Sequence, residues 1–296
     1  MDYSKIVVII PYRGIGDLIF HIPLLEGVSL FYKTKIKILT NSSNKGKNLL
    51  KNLKFIDDIE YLDFTRERLI KNSLEIYRKI NSIEPDLCIL TAPSKRLVWP
   101  LKFTFIKKKI FFKKDNIKDI SKYILVQSQK AFKKIKFKKK YNLNLSKSKV
   151  DRLNIFLNID SAHNQNNWEE KYFIELIFKL LKKKKINTIF VNFLPTNKIY
   201  FKNVSRLFKK SKKIIFTHKF QFNKIINTIN HCKYIVGNES GPNCIGAALN
   251  KKVISLYNPN YTPYVSSKII NSKNFYFNTQ KNSHSHIINK IVNIIR

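Results

Sequence analysis

The chain opens on an unbroken apolar run, Ile6–Ile10. It is too short for a buried helix and apolar on both faces, which predicts a strand inside a parallel sheet. A loop at 11–16 follows, and residues 17–32 then carry apolar positions at helical length. The same alternation continues with a strand-like 35–40, a Lys/Asn-rich helix at 44–53 and a strand at 56–64. Thr65 can cap a helix to 83, with Arg66 and Glu67 in its first turn, and Glu84-Pro85 stops it before a strand at 86–90. Residues 108–112 read as a further strand and 117–135 as a helix. After a basic, weakly patterned stretch at 133–149, read as a linker, a second set begins. Its strands are expected at 153–159, 187–193, 213–217, 234–237 and 253–257. Its helices are expected at 168–181, 200–208, 222–231, 242–249 and 284–296. Strands alternating with helices predict an α/β fold, here two Rossmann-like domains with parallel sheets, at 1–150 and 151–296.

Composition changes this picture in one respect. The 296 residues carry a formal net charge of +38, from 57 Lys and Arg against 19 Asp and Glu. Such a balance invites a nucleic-acid or anionic-membrane partner. Only eight of the basic residues are Arg, and planar phosphate recognition favours Arg, whereas Lys suits a solvated face. Lys, Asn and Ile share A/T-rich codons, so a biased genome accounts for the Lys excess better than specific nucleic-acid binding does. Cys88, Cys232 and Cys244 lack metal-ligand spacing and fit a reducing compartment. No run reaches the ~18 apolar residues that would span a bilayer, and the start leads directly into a strand rather than a signal peptide. A cytoplasmic protein, with peripheral contact to an anionic membrane left open, is the expectation.

Two strand-to-helix junctions could carry chemistry. In the first, Arg13-Gly14-Ile15-Gly16-Asp17 follows the first strand, where ligands of open α/β sheets bind. The glycines permit close backbone approach, and Asp17 at the helix start can cap free N–H groups. His21 lies four residues on, and can share a face with Asp17. Arg13 is suited to an acidic group of a ligand. The junction lacks a complete G-x-G-x-x-G, because no third glycine follows and Phe20 and His21 come instead. In the second, Gly237-Asn238-Glu239-Ser240-Gly241-Pro242-Asn243 precedes a small-residue helix, a natural diphosphate site at a helix N-terminus. Glu239 is placed to hold a sugar hydroxyl. His284 and His286 have no third ligand, so zinc is not expected.

Together these blocks resemble glycosyltransferase family 9, which contains the lipopolysaccharide heptosyltransferases. The matching residues are Gly16-Asp17, then Pro23-Leu24-Leu25, Trp168 opening a helix, and Val236–Leu249 (V-G-N-E-S-G-P-N-C-I-G-A-A-L). The order and spacing fit along most of the chain. The sequence departs from the family pattern at Glu239, usually Asp, at Cys244, usually His, and at Asn166, often Lys; Lys171 is the neighbour that could replace that Lys. The resemblance implies a GT-B fold with two domains facing a central cleft, the N-terminal one binding acceptor and the C-terminal one a nucleotide-sugar. It implies an inverting, metal-independent transfer with Asp17 as general base. Arg13, Gly14, Gly16 and His21 would bind acceptor, and Asn238, Glu239, Ser240, Gly241, Pro242 and Asn243 the donor. No cofactor is expected. The partners would be an ADP-heptose-like donor, an anionic glycolipid acceptor and the surface of an anionic membrane, with no specific nucleic acid. No Asp-x-Asp of the metal-binding kind occurs, and Asp58-Ile59-Glu60 reads as solvated charge at a strand entrance. A non-catalytic relative and a basic nucleic-acid-binding protein are the alternative readings.

Overall fold

The computed structural model describes residues 3–64, 69–92, 94–145, 152–161, 167–194, 198–261 and 264–295. The expected helix start at Thr65 with Arg66 and Glu67, and position Asn166, lie outside them. The chain divides into two compact units, Met1–Asn144 and Leu145–Arg296. Residues 133–144 are no loose linker. Ile135, Tyr141 and Leu143 are buried, and Phe20 packs edge-on against Tyr141. The apolar residues scattered among the lysines have no helical or strand period, so this packing was not readable in the sequence.

In the first unit β1 (Ile6–Ile10), β2 (Ile36–Thr40), β3 (Ile56–Tyr61), β4 (Leu87–Leu90) and β5 (Lys108–Phe111) form one parallel sheet, ordered β3-β2-β1-β4-β5. β1 is central, which is why all five of its residues are buried. One core lies between the sheet and the helices α4 (Leu69–Ile83) and α5 (Lys95–Lys102), and includes Val7, Ile9, Ile76, Ile80, Leu97 and Leu101. α5 was not expected, because Pro100 inside it and a Pro before it mask the helical period. Helix α6 (Ile120–Ala131) packs against α1 (Ile15–Phe20) and α2 (Ile22–Tyr32), while α3 (Gly46–Leu50) packs on β3. Glu60 lies within β3 rather than at its entrance, and is paired with Lys37 and Lys79.

The helix expected at 17–32 is two helices that break at His21. Pro23 has no N–H to donate to Ile19, so the ladder is interrupted there. Ile15–Tyr32 also has the length and mean hydropathy of a membrane span, contrary to the sequence expectation. Leu18, Ile19, Phe20, Leu24, Leu25 and Val28 are buried within the unit, which is how the core helices of a compact α/β unit read.

The second unit repeats the plan with β6 (Leu153–Asn158), β7 (Ile186–Asn192), β8 (Ile214–Phe216), β9 (Tyr234–Asn238), β10 (Lys252–Tyr257) and β11 (Phe275–Asn278). The order β11-β10-β9-β6-β7-β8 is all parallel and is that of a doubly wound sheet. α7 (Glu170–Leu181), α8 (Lys198–Phe208) and α12 (His284–Ile294) bury Phe173, Leu176, Val204, Phe208, Ile287 and Ile291 in its main core. α9 (Phe222–Asn230), α10 (Gly241–Ala248) and the short α11 (Ser266–Ile270) complete the element order. α11 and β11 were not expected: α11 has five residues, and Phe275 and Tyr276 on edge strand β11 are exposed, so neither has a burial period to read.

Gly237 is where β9 passes close to β6. Its φ is +145°, and a Cβ there would stand 1.9 Å from the carbonyl oxygen of Asn158 on neighbouring β6. Gly237→Ala is therefore expected to destabilise the protein by about 3 kcal/mol or more, as backbone strain and clash combine. Urea unfolding monitored by circular dichroism would measure this.

Candidate functional site

In an open α/β sheet, ligand sites form beyond the carboxyl ends of the strands where the winding reverses. In the first unit that point lies between β1 and β4, and in the second between β6 and β9. The two sequence blocks stand at these two points.

At the first, Gly14 is the N-cap of α1, with extended backbone and no side chain to cap with. Asp17 sits in the first turn and its carboxylate accepts the Gly14 N–H, the acidic half of a capping box. Burial outweighs that hydrogen bond and lifts the Asp17 pKa to about 6. A Cβ on Gly14 would stand 2.7 Å from Asp17 Oδ2, so only glycine leaves the carboxylate where it is. The strand-end loop is braced from β2: Asn44 Nδ2 donates to the Tyr12 carbonyl (3.1 Å) and to Thr40 Oγ1 (2.6 Å), and the Ser43 hydroxyl donates to the Arg13 carbonyl (3.1 Å). The Arg13 side chain is exposed, and Gly16 lies in the first turn of α1.

His21 differs from its expected place among acceptor contacts. It is fully buried, and both ring nitrogens are engaged. Nδ1 lies 2.7 Å from the Asp17 carbonyl and Nε2 2.9 Å from Thr91 Oγ1. Burial lowers its pKa to about 4, so the ring is neutral near pH 7. The carbonyl can only accept, which places the proton on Nδ1 and leaves Nε2 an acceptor facing the Thr91 hydroxyl, which is also within reach of the Ile9 carbonyl (3.1 Å). The ring thus ties the base of α1 to β4. Thr91 and Asn44 carried no sequence signal, since each is an isolated polar residue whose partners are distant in the chain.

At the second point a chain of buried amides crosses the sheet. The Thr217 hydroxyl donates to Asn192 Oδ1 (2.9 Å), and Asn192 Nδ2 to Asn158 Oδ1 (2.8 Å). Asn158 Nδ2 in turn donates to Ser240 Oγ (2.7 Å) and to the Asn238 carbonyl (3.2 Å). The Asn238 side chain is fully buried: its Oδ1 accepts the Trp168 N–H (2.9 Å), and its Nδ2 donates to the Ile159 carbonyl (3.0 Å) and to Asn167 Oδ1 (3.2 Å). Asn238 is accordingly a fastener, not an open ligand contact. Asn243 is also buried, and its Nδ2 donates to the Gly237 carbonyl (3.2 Å) and Ser255 Oγ (2.7 Å).

Glu239 likewise differs from expectation. Its Oε1 accepts the Ser267 N–H (3.0 Å) and its Oε2 the Ser267 hydroxyl (2.9 Å), so the carboxylate caps α11. Burial raises its pKa against those hydrogen bonds and one from Ser255. What stays open is the first turn of α10, whose N–H groups have no intrahelical partners. Pro242 has no N–H and Asn243 is buried, so Gly241, half-buried after Ser240, is the residue that presents one. Trp168 is buried, and its Nε1 donates to His284 Nδ1 (2.9 Å), while Tyr172 stacks on the His284 ring at 3.6 Å. Lys171 is exposed and pairs with Glu169 at 2.8 Å. Among the described residues no cluster of three His, Cys, Asp or Glu could hold a metal ion.

The family model for glycosyltransferase family 9 (heptosyltransferase) matches residues 109–291. No curated protein matches the sequence. Among solved structures, the glycosyl transferase family 9 protein from Veillonella parvula DSM 2008 superposes with a TM-score of 0.74 at 17% identity, covering 99% of this chain and 90% of that one. The E. coli ADP-heptose lps heptosyltransferase II gives 0.73 at 15% identity, covering 99% and 98%. E. coli heptosyltransferase WaaC with ADP gives 0.73 at 14%, covering 99% of both chains. At these identities the likeness establishes the α/β fold with two parallel sheets.

The amide chain generates a prediction. Asn238→Leu removes the side chain that accepts the Trp168 N–H and donates to the Ile159 carbonyl, and a buried group that loses its hydrogen bond costs about 1–3 kcal/mol. It is expected to lower the unfolding free energy more than Asn187→Leu, an exposed Asn on β7, does. Chemical denaturation of the two variants compares them.

Proposed function

The chain belongs to glycosyltransferase family 9, the heptosyltransferase family, and is a glycosyltransferase; from that premise we propose that it moves a heptose-type sugar from a nucleoside-diphosphate donor to an anionic glycolipid of the cell surface. The observation that carries this reading is Asp17: a carboxylate at the switch point of the first sheet, its pKa raised to about 6 by burial. A general base works best with a pKa close to the working pH, and burial brings Asp17 nearer to it than an ordinary Asp. Asp17 takes the proton of an acceptor hydroxyl as the oxygen attacks the anomeric carbon. The bond to the nucleoside diphosphate breaks on the opposite face, inverting the configuration. His21 acts as a positioning residue, since it holds the backbone of Asp17 through Nδ1.

The donor is assigned to the second unit. The half-buried N-terminus of α10 at Ser240 and Gly241, with the positive end of the helix dipole, favours the charge that develops on the leaving diphosphate. That arrangement needs no metal, and we take the transfer to be metal-independent. Structures of E. coli WaaC hold ADP and ADP-2-deoxy-2-fluoro heptose, which supports an ADP-sugar as the first donor to try. Ser240 and Glu239 serve this site by shaping it, Ser240 as the N-cap residue and Glu239 as the anchor of α11. An acceptor carried by lipid places the working enzyme on the cytoplasmic face of a membrane, held there peripherally by lysines.

Rate, stability and binding measurements test the assignment. Asp17→Asn preserves an acceptor for the Gly14 N–H, so the fold and donor binding are expected to persist while the transfer rate falls ~10²–10⁴-fold. The asparagine is also expected to be at least as stable as Asp17 at pH 8. A carboxyl pKa raised from 3.8 to about 6 means that folding disfavours the charged form, and this penalty builds as pH rises from about 3.8 to about 6 and is fully present at pH 8. For the unsubstituted enzyme, kcat/KM is expected to fall as pH drops below about 6, where Asp17 becomes protonated. A near-normal rate for Asp17→Asn at saturating substrates would remove Asp17 from the chemistry. Failure to bind any of a panel of ADP-, GDP- and UDP-sugars by calorimetry would remove the donor assignment.

A further inference from the structure

On the first unit, α5 and the turn that leads into β5 carry three aromatic side chains that the fold does not cover. Trp99 is 58% exposed, Phe103 59% and Phe105 100%. Leu97, Pro100 and Leu101 take the inner face of α5, which leaves Lys95, Trp99 and Lys102 outside. Trp99 and Phe103, one helical turn apart, meet edge-on with ring centroids at 5.2 Å. The turn is braced from within. Lys109 Nζ donates to the carbonyls of Lys102 (3.2 Å) and Thr104 (2.6 Å), and the hydroxyl of the buried Thr104 donates to the Leu101 carbonyl (2.7 Å). Single exposed apolar residues are ordinary, but three exposed aromatics within seven residues, on the end of α5 and the braced turn after it, are of the kind that marks a docking surface.

Charge selects the partner. Between Leu87 and Lys114 the sequence has eight basic residues and no acidic one. Lys95, Lys102 and Lys108 are exposed. The neighbouring Asp86 is already engaged: its Oδ1 pairs with Lys107 at 2.6 Å, and its Oδ2 accepts the Ser4 and Lys5 N–H groups. A second copy of a chain with a net charge of +38 would bring repulsion to this face rather than counter-charge. Aromatic rings that sit at headgroup depth, surrounded by lysines that reach lipid phosphates, are the composition of interfacial membrane anchors.

We propose that Trp99, Phe103 and Phe105, flanked by Lys95, Lys102 and Lys108, dock this unit onto an anionic lipid bilayer. The inference deepens the glycolipid reading above and rests on it for its purpose, but lipid contact can be measured with no acceptor present. The test is flotation of the full chain with vesicles of phosphatidylcholine containing phosphatidylglycerol, and of phosphatidylcholine alone. The unsubstituted protein is expected to float with the anionic vesicles, less with the neutral ones, and to be released by raised salt. The triple variant Trp99→Ser, Phe103→Ser, Phe105→Ser is expected to lower binding ~10-fold or more, because the apolar surface entering the interface is lost. Its melting temperature should hold, since all three rings are exposed. Lys102→Glu with Lys108→Glu should weaken binding at low salt. Trp99 emission should be quenched by lipids with brominated chains, and the buried Trp168 should be spared.

A triple variant that floats like the unsubstituted protein would overturn the docking assignment and leave the glycolipid reading standing, with attachment through another face. A stable dimer that the triple variant dissociates would overturn it in favour of a second copy as occupant. Absence of binding to either vesicle would overturn both the docking surface and peripheral attachment, and transfer to a solubilised acceptor would then judge the enzyme reading by itself.

Discussion

The second unit depends on how its strands end. A parallel sheet delivers the carboxyl ends of several strands to one edge, and the polar groups there must be satisfied without water wherever they are buried. This chain does so with amide side chains in series, from Thr217 through Asn192 and Asn158 to Ser240, with Asn238 tying in the segment before α7. Each amide both donates and accepts, so every member fixes the orientation of the next. Gly237 belongs to the same constraint, for it lets β9 pass close enough to Asn158 for the series to close. The reward is a rigid N-terminus for α10.

The first unit solves a related problem with opposed forces. Gly14 leaves its N–H to the Asp17 carboxylate, which favours the charged form, and burial disfavours it more strongly. The balance gives a carboxylate that is basic enough to take a proton yet held in place. The neutral His21 ring holds the same turn from behind through the Asp17 carbonyl and Thr91. The break in the helix at His21, forced by Pro23, puts that ring where it can reach β4. Local backbone chemistry and site geometry are one arrangement here.

The family pattern and the structure together recast the departures. Glu239 has one methylene more than the usual Asp, and the structure uses its carboxylate to cap α11 through Ser267. Cys244 is buried, on the side of α10 that packs into the unit, with its sulfur 4.0 Å from Glu239 Oε1. The two residues thus stand in contact. The excess charge, in turn, is uneven in consequence: scattered lysines hydrate the surface, whereas those around Trp99 and Phe105 border an apolar patch.

Much of this protein was determined by its sequence. The apolar runs at Ile6–Ile10 and Leu87–Leu90 and the short strand read at 234–237 were legible because strands buried on both faces are predominantly apolar. The glycine blocks after β1 and β9 were legible because glycine, capping residues and strand ends coincide there. The roles within those blocks were decided by tertiary structure. Whether His21 faces ligand or core, whether Glu239 meets a sugar or a helix end, and whether Asn238 is open or buried depend on Thr91, Ser267 and Trp168. Those partners lie 70, 28 and 70 positions away. A hydrogen bond needs two groups within about 3 Å, and sequence specifies one of them at a time. The same holds for the edge elements α11 and β11 and for the packing of 133–144, whose burial is a property of what they fold against.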